Sequence, residues 1–144
     1  MCGLNGIISY RAGAEPVDQD ELVRTRDAMI ARGPDGCGSW ISGDRTIGLA
    51  HRRLSIIDLS EGGAQPMHDP ESGAVIVFNG EIYNYREIRS DLEARGHVFR
   101  SGSDTEVLLR GYLEYSTALL PMLRGMFAFA IWDARKRGLL LARD

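Results

Sequence analysis

The sequence predicts an α+β domain built in layers, with mainly antiparallel sheets. Two observations lead to this prediction: strand-like and helix-like segments follow one another in the order strands, helices, strands, and short hairpin turns join the strands. With 144 residues, of which 44% are apolar and 26% charged, the chain has the size and composition of one globular domain and does not resemble a disordered protein. No linker, repeat or low-complexity segment divides it.

The first predicted element is a strand over residues 4–10. A helix follows, because Asp18 and Glu21 resemble a capping box and apolar residues then recur at helical spacing. Gly33-Pro34 ends this helix, since proline cannot continue a helix and glycine suits its C-terminal cap.

A β-hairpin is predicted next. Two short strand-like runs over residues 38–41 and 46–51 flank the turn sequence Ser42-Gly43-Asp44. Residues 52–70 then predict an extended loop that contains one apolar stretch, residues 54–59.

The second half begins with a β-branched run over residues 74–79, which predicts a strand ending in Asn-Gly. Asn84 and Ser103 are each followed three positions later by a glutamate, the pattern that opens a capped helix. Gly96 closes the first of these helices, and a further helical turn is predicted over residues 117–123.

The last predicted elements are two strands, residues 126–132 and 138–142, joined by a turn over residues 133–137. The first of them is apolar on both faces, which predicts a buried strand. The chain ends directly after a strand, where an apolar sheet edge would be left uncovered. We therefore expect a domain that is incomplete at its C-terminus, a fragment of a longer one.

Charge and composition exclude several classes of protein. The chain carries 17 Lys and Arg against 20 Asp and Glu, a net charge of −3, which excludes a generic basic nucleic-acid binder and gives no reason to expect a membrane surface as partner. The longest apolar run has seven residues, whereas a membrane span needs about 20. No secretory signal is visible, and two cysteines are too few for a disulfide framework, so a reduced, cytoplasmic setting is expected.

The most unusual single feature is the cysteine at position 2. Removal of Met1 would place a thiol and a free α-amino group on the same residue. With pKa values of about 8.5 and about 8, the amine can accept the thiol proton, the logic of an N-terminal nucleophile. Taken alone, a chance cysteine at this position is the simpler interpretation.

Phe78-Asn79-Gly80-Glu81 offers donors to a developing oxyanion, namely an asparagine amide and a glycine N–H. The same Asn-Gly pair after an apolar strand is equally a common turn signal. The two interpretations are evenly balanced on the sequence alone.

Arg53 and Asp104 form a complementary pair, because a free amino acid needs a cation for its α-carboxylate and an anion for its α-ammonium group. The alternatives are that Arg53 lies on a solvated loop and that Asp104 only occupies the first turn of a helix, where negative charge is favoured. Spacing does not decide between them. The three histidines and two cysteines have no metal-ligand spacing, so no metal is expected.

Short motifs run through the whole chain in a fixed order. They are residues 1–3, residues 32–35 with Gly38, and residues 50–58, 63–67, 79–84, 102–106 and 125–130. Together they resemble the glutaminase domain of glutamine-hydrolysing asparagine synthetases, which are class II glutamine amidotransferases within the N-terminal-nucleophile hydrolases. The resemblance implies a four-layer αββα sandwich of antiparallel sheets over residues 1–144, truncated at the C-terminus and without a synthetase domain.

The resemblance also assigns roles. Cys2 matches the nucleophile, and Asn79 with the N–H of Gly80 matches the oxyanion hole. The residues that match the glutamine-binding site are Arg53, Leu54, Ser55, Ile56, Ile57, Asn79, Gly80, Glu81 and Asp104.

Within that site, Arg53 matches the residue that holds the α-carboxylate of glutamine. Asp104 and Glu81 match residues around its α-amino end, and the backbone of residues 54–57 falls in the stretch that lines the pocket. Residues 32–35 match a nearby structural loop rather than a catalytic one.

The implied reaction is hydrolysis of L-glutamine through a γ-glutamyl thioester, supplying ammonia for asparagine synthesis from aspartate. The implied partners are L-glutamine and a synthetase domain, in cis in a parent protein or in trans; no nucleic acid or membrane is expected, and a homo-oligomer is left open. The glutaminase domain itself needs no cofactor, whereas ATP and Mg²⁺ belong to the synthetase domain. The rival hypothesis is an inactive, truncated fragment that binds glutamine or a synthetase partner, and a redox or metal role for Cys2 and Cys37 has little support.

Overall fold

A computed structural model describes residues 2–11, 13–57 and 60–144, and within these ranges the strands form two antiparallel sheets. The first sheet has the order β1-β3-β2, and its strands are Gly3–Ile8 (β1), Gly36–Ile41 (β2) and Ile47–Arg53 (β3). The second has the order β4-β5-β6-β7, and its strands are Met67–His68 (β4), Val75–Ile82 (β5), Gly125–Asp133 (β6) and Gly138–Arg143 (β7). Met1 and Asp58, which belong to two of the sequence motifs, lie outside the described residues.

Helices lie on the outer faces of these sheets. They are Gln19–Asp27 (α1), Tyr85–Ala94 (α2) and Asp104–Tyr115 (α3), with short 3-10 helices at Ile30–Arg32, Glu61–Gly63 and Ser116–Met122. Helix α1 packs on the first sheet, where Leu22 lies directly against Gly48 of β3. Among the described residues, no helix has the length and apolar character needed to cross a bilayer.

The alternation of side chains along β5 defines the layers. Val75 and Val77 pack with Ile47 and Leu49 in the space between the two sheets. On the opposite face of β5, Ile76 and the apolar residues beside it pack in a second cluster beneath α2 and α3. Because each side of β5 is covered, the strand is apolar on both faces. The chain is thus an α+β sandwich of four layers, α1, sheet, sheet and α2 with α3, as the sequence predicted.

Two predicted helix caps are present. The carboxylate of Asp18 accepts the N–H groups of Asp20 and Glu21, at 2.8 and 3.1 Å, and the hydroxyl of Ser103 accepts the N–H of Glu106 at 3.2 Å. These side chains satisfy amides that have no partner within the helix.

The predicted side-chain cap at Asn84 is wrong. Helix α2 begins directly after this residue, but the Asn84 side chain makes no capping hydrogen bond. Its amide instead donates to the carbonyl oxygen of Met122 at 3.0 Å and accepts the N–H of Arg124 at 2.9 Å. A distant segment therefore takes the polar groups that local capping would have used.

Two loop predictions also need correction. The predicted loop over residues 52–70 contains the 3-10 helix Glu61–Gly63 and strand β4. The alternative of a turn at Asn79-Gly80 is wrong, because β5 continues to Ile82, with Asn79 paired to Ala128 and Gly80 to Phe127 in β6.

Candidate active site

A cavity of about 120 Å³ opens where β1 begins and β3 ends, between the second half of β5 and the start of α3. Every residue that the sequence assigned to the site lines it: Cys2, Arg53, Leu54, Ser55, Ile56, Ile57, Asn79, Gly80, Glu81 and Asp104. Within the part of the chain that the structure describes, six further residues share the lining: Gly63, Gln65, Phe78, Ser103, Thr105 and Met126. The fold thus brings together side chains that are up to about a hundred positions apart in the sequence.

Cys2 lies at the wall of this cavity, half-buried and with a free thiol. The backbone N–H of Leu54 donates to its Sγ at 3.3 Å, and the thiol donates to the carbonyl oxygen of Leu54 at 3.6 Å. Strand β1 pairs with β3 from its first residue, Gly3 opposite Arg52. The sulfur is therefore held against the segment that follows β3.

The loop around Gly33 contributes two contacts that sequence reasoning missed. Arg32 Nε donates to the carbonyl oxygen of Cys2 at 3.0 Å, and a carboxylate oxygen of Asp35 accepts the N–H of Ser55 at 2.9 Å. A Cβ at Gly33 would lie 2.3 Å from the carbonyl oxygen of Arg52, so glycine lets this loop press against β3. The motif at residues 32–35 signalled a structural loop, but nothing in the sequence indicated these partners.

Asn79 and Gly80 lie on the opposite wall, in β5. Gly80 has φ +151°, and a Cβ there would lie 2.1 Å from the carbonyl oxygen of Met126, so no other residue fits this position without backbone movement. The Oδ1 atom of Asn79 is buried and has no hydrogen-bond partner among the described residues. Asn79 and Gly80 thus line the cavity as neighbours in β5.

Side chains from two other segments hold the residue before Asn79. The N–H of Phe78 donates to Gln65 Oε1 at 2.6 Å, and the Gln65 amide donates onward to Thr105 Oγ1 at 3.2 Å. The carbonyl oxygen of Phe78 lies 3.0 Å from Nε2 of His51 in β3. Burial lowers the pKa of His51 from 6.5 to about 4, so the ring is neutral near pH 7 and carries its proton on Nε2, the nitrogen that donates.

Opposite charges meet in the cavity. Arg53 is the last residue of β3, and one of its guanidinium nitrogens donates to the carbonyl oxygen of Ser60 at 2.9 Å. Arg53 therefore lies in a strand and not on the loop that the alternative interpretation assumed. Asp104 begins α3 and is buried, and its Oδ2 accepts the N–H of Ile82 at 3.0 Å.

The Asp104 carboxyl has a raised pKa. Burial is the main cause, and the nearby negative charge of Glu81 adds to it, while backbone N–H groups including that of Ile82 act in the opposite direction. A buried carboxylate next to a second carboxylate is an environment that a bound cation would stabilise. The cavity therefore combines a thiol, a guanidinium group and a pair of carboxylates, the groups needed to bind and attack an amino acid.

No group of three or more His, Cys, Asp or Glu side chains that could hold a metal occurs in residues 2–11, 13–57 and 60–144. Cys37 is exposed on β2 and its thiol is free, like that of Cys2.

The family model for the glutamine amidotransferase domain matches residues 1–144. Among curated proteins, "Asparagine synthetase [glutamine-hydrolyzing] 1" of Bacillus subtilis is 46% identical over the whole of this chain, which covers 22% of that protein. Asparagine synthetase B of Escherichia coli is 40% identical, again over the whole chain and over 25% of its own length. A putative asparagine synthetase of Mycobacterium tuberculosis is 43% identical, with 24% of its length covered. The chain spans about a quarter of the length of these relatives.

Two solved structures share the fold. One is a glutamine phosphoribosylpyrophosphate amidotransferase from B. subtilis complexed with ADP and GMP, with a TM-score of 0.57 and 23% identity over 70% of this chain and 24% of that one. The other, described as the allosteric regulatory enzyme of purine biosynthesis, has a TM-score of 0.56 and 24% identity with the same coverage. At these identities the likeness concerns the fold, and it confirms the predicted sandwich.

Proposed function

Because the chain belongs to the glutamine amidotransferase domain family, we propose that it hydrolyses L-glutamine to glutamate and ammonia, with Cys2 as the nucleophile. The observation that carries this proposal is the convergence of Cys2, Arg53, Asn79, Gly80 and Asp104 on one cavity. In the proposed reaction each of these residues has a role, as nucleophile, as oxyanion donor or as partner of a substrate charge.

Substrate recognition follows from the charges. Arg53 offers a planar, permanently charged fork for the α-carboxylate of glutamine. Asp104 and Glu81 face the same cavity and would bind the α-ammonium group, whose charge offsets the cost of burying Asp104. The backbone of Leu54 and the following residues would line the path of the substrate side chain, which brings its amide to Cys2.

The reaction begins with transfer of the Cys2 thiol proton to the α-amino group of the same residue. The thiolate attacks the side-chain amide carbon of glutamine, and the negative charge moves to the carbonyl oxygen. The amide of Asn79 and the N–H of Gly80 would donate to this oxyanion. The carbon–nitrogen bond then breaks, and the protonated Cys2 amine, directly or through a water, gives its proton to the departing ammonia.

A γ-glutamyl thioester remains on Cys2. Water attacks this thioester, the carbon–sulfur bond breaks and glutamate leaves, which restores the thiol. The mechanism requires that Met1 be removed, because a peptide bond to Met1 would take away the base.

We further propose that the ammonia supplies asparagine synthesis from aspartate in a synthetase domain outside these 144 residues, in cis or in trans. The support is that similar proteins about four times as long are named glutamine-hydrolysing asparagine synthetases. ATP and Mg²⁺ would act in that domain, and hydrolysis uses only groups of this chain. A reduced, cytoplasmic setting fits a nucleophile that needs a free thiol.

The test is release of glutamate from L-glutamine by the purified chain, with the intact mass of each sample. We expect turnover in a sample whose mass lacks Met1, and loss of turnover in Cys2→Ala. Cys37→Ala is the matched control, because Cys37 is exposed on β2 and does not line the cavity; it should keep full activity. A chain without Met1 that binds glutamine but releases no glutamate would instead be the inactive fragment of the rival hypothesis.

A further inference from the structure

Glu106 is a buried carboxylate in the first turn of α3, two residues after Asp104. Its Oε1 and Oε2 accept the backbone N–H of Arg100 at 2.9 and 3.1 Å. Oε2 also accepts the N–H and the hydroxyl of Ser101, each at 2.7 Å. One side chain thus holds two adjacent residues in the second half of the loop between α2 and α3.

That loop reaches the cavity through Ser103. The hydroxyl of Ser101 lies 3.0 Å from the hydroxyl of Ser103 and accepts its N–H at 3.3 Å. Ser103 in turn caps α3 by accepting the N–H of Glu106 at 3.2 Å. Ser103 and Asp104 line the cavity, whereas Glu106 does not. A closed set of hydrogen bonds therefore connects the Glu106 carboxylate to the segment that presents Asp104.

The negative charge of Glu106 has a partner on the same helix. Arg110 Nε lies 4.0 Å from Glu106 Oε1, and Arg110 Nη1 lies 2.9 Å from a carboxylate oxygen of Asp69, which is 3% exposed. Arg110 thus stands between two buried carboxylates, and loss of either charge would disturb the guanidinium position. Neutral glutamine at position 106 would not be equivalent to glutamate.

We propose that Glu106 is a positioning residue for recognition of the substrate α-ammonium group, acting through Ser101 and Ser103 on Asp104. The inference rests on the proposed function, because it takes Asp104 as the partner of that ammonium group. In Glu106→Gln, one acceptor oxygen becomes an amide that donates, so the N–H groups of Arg100 and Ser101 compete for the oxygen that remains. The loop would shift, and the Asp104 carboxylate with it.

A comparison of two substrates, L-glutamine and glutaramic acid, distinguishes this positioning role from a general structural role. Glutaramic acid has the amide and the carboxylate of glutamine but no α-amino group. For Glu106→Gln we expect kcat/KM for L-glutamine to fall roughly ten- to hundredfold, the range for loss of a hydrogen bond to a charged group, and mainly through KM. With glutaramic acid as the substrate, kcat/KM should stay within about twofold of the wild-type value. The constant for inhibition of L-glutamine hydrolysis by glutaramic acid should also stay within about twofold. Asp104→Asn should show the same pattern, and the double variant should be no worse than Asp104→Asn alone.

Glu114→Gln is the matched control. This variant also replaces a glutamate carboxylate of α3. Unlike Glu106, Glu114 lies at the surface, where it contacts Arg95 and His97. Both substrates should be processed as by the wild type. An equal loss of kcat/KM with both substrates in Glu106→Gln, or an unchanged KM for L-glutamine, would overturn the proposal.

Two further measurements keep the result interpretable. If Glu106→Gln does not fold, Ser101→Ala removes only the hydroxyl between Glu106 and Ser103, and we expect a loss of about three- to tenfold with L-glutamine alone. If the wild type releases no glutamate, the proposed hydrolysis fails on its own. The positioning role is then read from the thermal stabilisation that each ligand gives: the wild type should prefer L-glutamine over glutaramic acid, and Glu106→Gln should lose that preference, while a retained preference would contradict the role.

Discussion

Nε2 of His51 donates to the carbonyl oxygen of Phe78 across 3.0 Å, and this bond joins the two sheets directly beside the cavity. Because the ring is fully buried and its pKa is about 4, folding keeps it neutral. In the unfolded chain the same ring would titrate near 6.5. The fold therefore loses stability as the pH falls from about 6.5 to about 4, since only the unfolded chain takes up the proton in that range.

We expect this histidine to contribute roughly 2 kcal/mol to the loss of unfolding free energy between pH 7 and pH 5. Urea unfolding at the two pH values measures it. His51→Gln should be less stable than the wild type at pH 7 but should lose less on acidification. Equal pH dependence in His51→Gln and the wild type would contradict the assignment.

Asn79→Ala should lower kcat for glutamine hydrolysis by about 10²–10³ with little change in KM, because the lost amide would stabilise the oxyanion and not the bound substrate. The loss should be smaller than that of Cys2→Ala, which removes the nucleophile. Steady-state glutamate release measures both. Asn84→Ala deletes an amide whose partners lie at Met122 and Arg124; it should weaken the fold but leave kcat unchanged.

The raised pKa of Asp104 predicts that substrate binding depends on pH. Its pKa is raised in the free chain, so part of its negative charge is lost at a higher pH than for an ordinary aspartate. An ammonium group binds the ionised carboxylate, and the affinity for L-glutamine should therefore fall as the pH falls through this raised pKa.

Asp104→Asn should raise KM by roughly ten- to hundredfold near pH 7 and remove this acid limb of the KM profile. Kinetics across pH values, with glutaramic acid as the comparison ligand, provide the measurement. If the acid limb of the KM profile persists unchanged in Asp104→Asn, it arises from another group.

Gly80→Ala should destabilise the fold by roughly 2 kcal/mol or more, because the added Cβ meets the backbone of Met126 at 2.1 Å where φ is +151°. Thermal or urea unfolding measures the change. Gly43→Ala, where the added Cβ meets nothing within 4 Å, should stay within about 0.5 kcal/mol of the wild type. Similar stabilities for the two variants would be inconsistent with the close approach of β5 and β6.

Most elements of the fold could be predicted from local patterns. The capping residues Asp18 and Ser103 mark helix starts that the structure confirms, and apolar runs locate the strands to within a few residues. Asn79-Gly80 was ambiguous because a dipeptide carries the same turn signal whether or not a partner strand exists. The structure shows that this dipeptide belongs to a strand, because it pairs with β6, almost fifty residues later in the chain. Asn84 shows the same limit, since its partners at residues 122 and 124 leave no trace in the neighbouring sequence.

The residues that line the cavity could be named only from the ordered set of motifs, because spacing alone does not bring residue 2 close to residues 79 and 104. The structure places those residues on one cavity, and their individual roles stay predictions. The contacts of Arg32, Asp35 and Glu106 could not have been foreseen. Arg32 and Asp35 bond distant backbone groups, and Glu106 bonds the backbone N–H groups of a loop together with one hydroxyl. A backbone group has no sequence signature.

The hydrogen bonds at Cys2 bear on the proposed removal of Met1. A residue that becomes N-terminal usually frays unless its neighbours hold it in place. Here the sulfur is tethered by the N–H of Leu54 and the carbonyl oxygen by Arg32, and the sheet starts at the next residue. None of these attachments involves the bond to residue 1. Removal of Met1, which the proposed mechanism requires, would therefore free an amine while the bonds that hold Cys2 in place remain.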